Sequence, residues 1–261
     1  MNRTLVRVAM AALVLAPANF ARAAELKILT TPAFSEVWAE LAPKFEVTGH
    51  KLTLVNAPSG SIAKRITDGE SADLVVSTPA GVETLVKAGK VIDGTNTPTA
   101  SSGMGVAVLK GAPKPDISTP EAFRQALLAA KGVAYSDPAA GGASGVHFMK
   151  VIEQLGIKDQ VLAKGKPGRG IPVATFVVKG EADIAIQQMP ELLHVDGAEV
   201  VGPLPGDLQN VTMFAAGIPT ASPNTEAVRA LIRFLQTPDS AAVFKRHGLD
   251  PAAPKAPAKA T

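Results

Sequence analysis

Gly132–Lys150, GVAYSDPAAGGASGVHFMK, joins a short apolar run, a turn of small residues and the start of an amphipathic helix. Gly132 to Tyr135 reads as the end of a buried strand. Ser136 to Ser144 contains only Ser, Asp, Pro, Ala and Gly. From Gly145 onward, Val146, Met149, Ile152 and Leu155 fall on one helical face. A strand, a tight turn and a helix start together make an anion site. The first helical N–H groups lack partners within the helix, and the helix dipole favours negative charge there. Gly141, Gly142 and Gly145 allow close approach of a ligand to the backbone. The plainer reading is an ordinary strand-to-helix turn with Ser144 as N-cap.

Outward from this stretch the same unit recurs. Leu26–Leu29 runs into Thr30 and Thr31, and then into a helix with Val37, Leu41 and Phe45 on one side. Ser35 is the expected N-cap, and Glu36 suits the first turn. Lys51–Val55 leads through Asn56–Ser61, with Ser59, Gly60 and Ser61 in the turn, to a helix through Ile62 and Ile66. Lys64 and Arg65 read as a solvated helix face. Ala72–Thr78 is a third strand before helix Gly81–Ala88. Three βα units in succession predict parallel strands whose C-terminal loops share one edge, where open α/β sheets bind ligands. For Thr30 and Thr31, capping duty is as reasonable as a binding role.

Further along, Val106–Leu109 is a strand and Lys110–Ser118 a Pro- and Gly-rich connector. Glu121–Ala130 is a helix. Lys164–Gly170 reads as the most basic loop beyond the leader, and Arg169 is its bidentate donor. Ile171–Val178 reads as a helix and Asp183–Ile186 as a strand, with Gln187 and Gln188 at its end needing partners or a cleft. Val200–Val201 and Thr212–Ala216 are strands. Asn224–Leu235 and Ala241–His247 are helices. The phrase Lys179–Ile186 echoes Asp68–Val75, which predicts two similar α/β halves. Connectors near Lys110 and Gly202 would carry the chain between them, leaving a hinged cleft.

Composition limits the function. The chain has 261 residues, 46% hydrophobic, and no cysteine, which excludes disulfides and thiolate metal sites. Met1–Ala23 has Arg3 and Arg7, an apolar core from Val8 to Ala16 and the small-x-small pattern at Ala21–Ala23, as in a secretory leader cut before Ala24. Its apolar run is far short of the roughly 20 residues that span a bilayer, so no stable membrane insertion is expected. Without Arg3, Arg7 and Arg22, 26 basic residues fall to 23, matching 23 acidic ones. A near-neutral chain with few aromatics does not suit nucleic acid. No Walker motif or nucleophile elbow occurs, and the four histidines show no metal-ligand spacing. His147 lies one turn into its helix and is the one histidine that can face a cleft. The expectation is an exported protein of the periplasm, with a disordered tail over 251–261.

Ser59-Gly60-Ser61, Ala72–Ser77, Ser136-Asp137-Pro138 and the Gln187-Gln188 strand end come in an order that resembles the periplasmic molybdate-binding proteins of ABC transporters. These belong to the type 2 periplasmic binding protein superfamily. The resemblance implies an α/β fold of two lobes with a hinge and a central ligand cleft. Lobe 1 would be 24–104 with 207–250, and lobe 2 would be 105–206. It implies a monomer that captures a small anion, without a cofactor or metal, for an ABC permease. Carried over, the hydroxyl positions fall near Thr31 and near Ser59 to Ser61, with Thr30 and Gly60 also in the ligand-binding set. The backbone donors fall at Ala143, Ser144 and Gly145 and near Val173. The family's tyrosine position is taken here by Gln187-Gln188. With Arg169 and Gln188, that departure favours an organic carboxylate over molybdate. The scaffold also resembles periplasmic aconitate isomerases, which implies an alternative: a proton shift on a small unsaturated acid. His147 or Glu36 would then be the base, with Arg169 holding a carboxylate.

Overall fold

The computed structural model describes residues 23–252. The expected leader, apart from Ala23, and the expected tail from 253 onward lie outside the described residues. Pro251 and Ala252, expected to be disordered, are ordered: Pro251 pairs with Ala100 and Ala252 N–H donates to the Thr99 carbonyl at 2.9 Å. Strand β1 (Glu25–Thr30) is followed by a 3-10 turn (Pro32–Phe34) and helix α1 (Ser35–Glu46). Then come β2 (Lys51–Asn56), α2 (Ser59–Thr67), β3 (Leu74–Ser77), α3 (Pro79–Lys87) and the long β4 (Thr97–Leu109). Next are α4 (Pro120–Ala129), β5 (Val133–Ser136), α5 (Ala143–Gln154), α6 (Lys158–Leu162), β6 (Gly165–Gly168), α7 (Ala174–Val178), β7 (Ile184–Gln188) and α8 (Met189–Leu193). The chain closes with β8 (Ala198–Pro203), β9 (Val211–Gly217), α9 (Thr225–Leu235), α10 (Pro238–Arg246) and β10 (Asp250–Pro251).

The strands run in the order β2-β1-β3-β9-β4-β7-β5-β6, with β8 and β10 also paired to β4. As the βα units predict, β1 is parallel to β2 and β3, and β5 is parallel to β6 and β7. Strands β4 and β9 are antiparallel to their neighbours. The result is two lobes sharing β4. In the first, Leu26, Ile28 and Phe34 pack with Trp38, Phe214 and Phe244 on one face, and Leu29, Ile62 and Val75 pack on the other. In the second, Val106, Phe123, Phe148 and Ile186 fill one face, and Ala134, Val173, Ala185 and Leu192 fill the other. Strands covered on both faces need apolar residues at successive positions, which is why they read as continuous apolar runs.

Strand β4 changes partners along its own length, ahead of the Pro- and Gly-rich Lys110–Ser118 stretch. Thr97–Gly103 pairs with β9, whereas Met104–Ala107 pairs with β7. The side chain of Gln209 staples the crossing. Its Oε1 accepts from Met104 N–H, and its Nε2 donates to the Met104 carbonyl, both at 2.9 Å. Two local expectations change. Gly165–Gly168 is an edge strand on β5 and not a loop, because an edge tolerates Pro167. The helix expected over Ile171–Val178 is confined to Ala174–Val178.

Candidate functional site

The C-terminal ends of β1, β2, β5 and β7 open onto one gap between the lobes. The gap is narrow, with a cavity volume of about 30 Å³. From the first lobe, Thr31, Ala33, Pro58 and Ser59 line it, with Phe214 beneath. From the second lobe, Ser136, Asp137, Gly142, Ala143 and Ser144 face them. Gly168, Gly170, Gln187, Gln188 and Glu191 complete the wall. No Lys, Arg or His lines the gap among the described residues. Attraction for an anion must therefore come from helix termini, hydroxyls and neutral amides.

Two helices begin at this gap, and neither carries a side-chain cap. The N-cap of α2 is Pro58 and that of α5 is Gly142. Ser59, Gly60 and Ser61 therefore form the first turn of α2, not a loop before it. Ser144 is likewise the second residue of α5 and not its cap. Its Oγ donates to Ser136 Oγ at 3.0 Å. Thr31 is 4% exposed, and its hydroxyl has no partner among the described residues. A buried hydroxyl left unpaired is costly; Ser77 and Thr99 share that state, but of the three only Thr31 lines the gap.

Other expected donors are occupied or turned away. Thr30 is fully buried behind the gap, and its Oγ1 accepts from Trp38 Nε1. Ser61 Oγ donates to the Ala140 carbonyl, and Gly60 N–H donates to that of Gly141. Gly145 packs so closely on β5 that a Cβ there would lie 2.0 Å from the Ser136 carbonyl oxygen. The glycines of the opening stretch thus bring chain against chain, and Gly142 alone of the three also lines the gap. Val173 N–H is spent on Gln187 Oε1 at 2.7 Å. Gln188 lines the floor. In the orientation that satisfies its neighbours, its amide donates to the Ser102 and Gly103 carbonyls and accepts from Thr212. Its polar atoms thus bind the crossing strands together.

The charged candidates are rearranged most. Arg169 sits at the rim with its side chain 69% exposed, and its guanidinium donates to Asp137 Oδ2 at 3.1 and 3.2 Å. His147 does not line this gap. Its Nε2 donates to the Leu208 carbonyl at 2.9 Å, and its ring borders an adjoining, wider recess that shares Ser59 and Ala143 with the gap and also holds Lys150 and Met213. Glu36 is exposed on α1 and lies outside the lining. Two carboxyl groups line the wall instead: Asp137, held by Arg169, and Glu191, in the first turn of α8. Glu191 is partly buried, and Gln187 Nε2 donates to its Oε1 at 2.6 Å. Burial pushes the Glu191 carboxyl up to about 8, against a smaller opposing hydrogen bond from the Gln188 backbone.

A family model described as bacterial extracellular solute-binding protein matches residues 26–250. The chain belongs to this family. As a solute-binding protein it is 34% identical over 233 residues to an aconitate isomerase from a Pseudomonas species, covering 87% of each chain. It is 26% identical to the molybdate-binding protein ModA of Escherichia coli (strain K12), covering 91% of this chain and 94% of that one. The periplasmic molybdate-binding protein of Azotobacter vinelandii shares the fold, with a TM-score of 0.73, 19% identity and coverage of 88% of this chain and 100% of that one. The two-lobed α/β fold expected from the sequence is thus the fold observed. No helix among the described residues is long and apolar enough to cross a membrane.

The solute-binding cleft makes a first prediction at Thr31. Thr31→Val keeps the shape and removes the unpaired hydroxyl. Unliganded stability should hold or rise by up to about 1 kcal/mol, while carboxylate affinity drops about threefold to tenfold. Thermal melts with and without ligand read both. A fall in unliganded stability with unchanged affinity would assign Thr31 to the framework.

Proposed function

We propose that this solute-binding protein captures a small organic carboxylate in the interlobe cleft and shifts a proton on it, interconverting isomers of an unsaturated acid of the aconitate type. The observation that carries this reading is the place of Glu191: an acid on the cleft wall, held by Gln187 Nε2 at 2.6 Å, with partial burial raising its carboxyl. Moving a double bond in such an acid removes a proton from a carbon beside a carboxylate and returns one elsewhere. The composition does not change, so the reaction consumes no oxidant and no cofactor. It needs a group that takes and gives a proton near neutral pH, and a raised carboxyl is such a group. The likeness to an aconitate isomerase over 87% of both chains supports the same reading. The uncapped first turns of α2 and α5, with Thr31 and Ser59, would hold the ligand's carboxylates. Arg169 can exchange its Asp137 partner for a carboxylate at the rim.

The second reading is passive capture of a small anion in the periplasm for delivery to an ABC permease. The neutral hydroxyls and amides of most of the wall favour it, as does the family as a whole. Both readings use a monomer divided into 24–104 with 207–250 and 105–206, a division supported by the change of partners along β4.

Incubation with cis-aconitate between about pH 6 and 9, followed by chromatography for the trans isomer, separates the two. Conversion above a buffer blank is expected. No conversion, with a ligand-induced rise in melting temperature across oxyanions and carboxylates, leaves the binder. Neither result sinks both.

A further inference from the structure

Gln187 is fixed in three directions. Its Oε1 accepts from Val173 N–H at 2.7 Å. Its Nε2 donates to the Ile171 carbonyl at 3.0 Å and to Glu191 Oε1 at 2.6 Å. A backbone N–H only donates and a backbone carbonyl only accepts, so the amide cannot be turned round. Its NH2 group therefore always points at Glu191 Oε1. That oxygen must accept along this direction, and the carboxyl's proton is left to Oε2.

We infer that Gln187 is a positioning residue, selecting the Glu191 oxygen that carries the transferable proton and setting how readily that proton leaves. The inference rests on the reading of Glu191 as the proton-transfer group. Charged neighbours do not supply the control. The turn 32–34, β4 and β7 carry no titratable residue. Glu199 on β8 pairs with Lys114, and His194, next after α8, contacts His247. Asp137 across the cleft is held by Arg169. A neutral amide held by two backbone groups thus contacts Glu191 Oε1 directly, beside the Gln188 backbone group that also favours the charged form. It stabilises the carboxylate against the burial that opposes it.

The sequence placed a glutamine pair at this strand end and required partners for it. The two side chains divide the work. Gln188 ties β4 to β9, and Gln187 reaches forward to the acid four residues on.

The test replaces Gln187 by Met, which has similar length and no amide, and by Glu, which still offers an acceptor to Val173 N–H. Two readouts are followed: the pH profile of kcat/KM with cis-aconitate, and the infrared carbonyl band of protonated Glu191. The band is isolated by difference from the matching Glu191→Gln protein. In Q187M both midpoints should move up by about one pH unit, because a donor to the charged form is lost. The plateau kcat should fall while KM stays within about twofold. In Q187E two adjacent carboxyls share a proton, and the upper midpoint should rise further. Q187E decides the matter should Q187M fail to fold. A midpoint that stays in place in the folded variant overturns the inference. A midpoint that moves in a protein without turnover strikes only the isomerase reading.

Discussion

Glu191→Gln is expected to slow aconitate isomerisation by about 10²- to 10⁴-fold and to make the protein harder to unfold. The two effects share one cause. The Glu191 carboxyl is pushed from its ordinary 4.5 to about 8 because its wall of the cleft excludes water. Below about pH 4.5 the acid is protonated in both folded and unfolded chains, and it costs nothing. Between about 4.5 and 8 the unfolded chain ionises and the folded one does not, so stability falls as pH rises. Above about 8 the cost is complete. Glutamine is neutral throughout, so the stability gain from the substitution should be near zero at pH 5 and grow towards pH 8. At pH 7 it should be on the order of 1–3 kcal/mol, or several degrees in Tm. The carboxylate is the form that abstracts a proton, so the wild-type kcat/KM should climb with pH, reach half its plateau near 8 and level off above about 9. Melting curves at pH 5 and 8 with matching rate profiles check both halves. A gain in Tm equal at the two pH values would mean that the carboxyl is not held protonated.

The fold was largely legible in the sequence because its central strands are covered on both sides. Ile28–Leu29, Leu74–Val76 and Val133–Tyr135 are apolar at consecutive positions, and each strand is followed by a turn and an amphipathic helix. The front half of β4 was not legible. Thr97–Gly103 reads TPTASSG, and what holds it in the sheet is backbone pairing with β9 and β10, not its side chains. The cleft was legible as an edge, and Thr31, Ser59, Ala143, Ser144 and Gln188 do line it. Which polar atoms stay free was not legible, because the partners of Thr30, Ser61, Val173 and Gln188 lie on other elements that meet them only in the folded chain. The acid was missed for a related reason. His147 and Glu36 stood out by type or by position in a first turn, yet one holds a loop carbonyl and the other faces solvent. Glu191 gave one local signal: it sits in the first turn after a strand end, as Ser59 and Ser144 do. Its burial arises only when α8 packs against β4 and the 32–34 turn.

Gly60→Ala should weaken carboxylate binding by about fivefold to a hundredfold while leaving the fold as stable as before or more so. Gly60, in the first turn of α2, meets Gly141 of the other lobe backbone to backbone. Gly60 N–H donates to the Gly141 carbonyl at 3.2 Å, and beside it Ser61 Oγ donates to the Ala140 carbonyl at 3.2 Å. A Cβ on Gly60 would lie 2.9 Å from Gly141 Cα and 3.3 Å from the Ala140 oxygen. Both are backbone atoms and cannot swing aside, so the lobes must part. Overpacking of this kind costs about 1–3 kcal/mol, which converts to the stated loss if closure is coupled to binding. Within its own lobe the substitution is favourable, because alanine suits a helix better than glycine by about 0.5–1 kcal/mol. Gly141→Ala separates the two contributions. Its φ of +71° adds backbone strain to the same clash, so it should lose both affinity and Tm. Small-angle scattering gives a readout that needs no ligand: the radius of gyration of G60A should exceed that of the wild type. A G60A protein with unchanged scattering and unchanged affinity for cis-aconitate would show that the glycine seam does not govern closure.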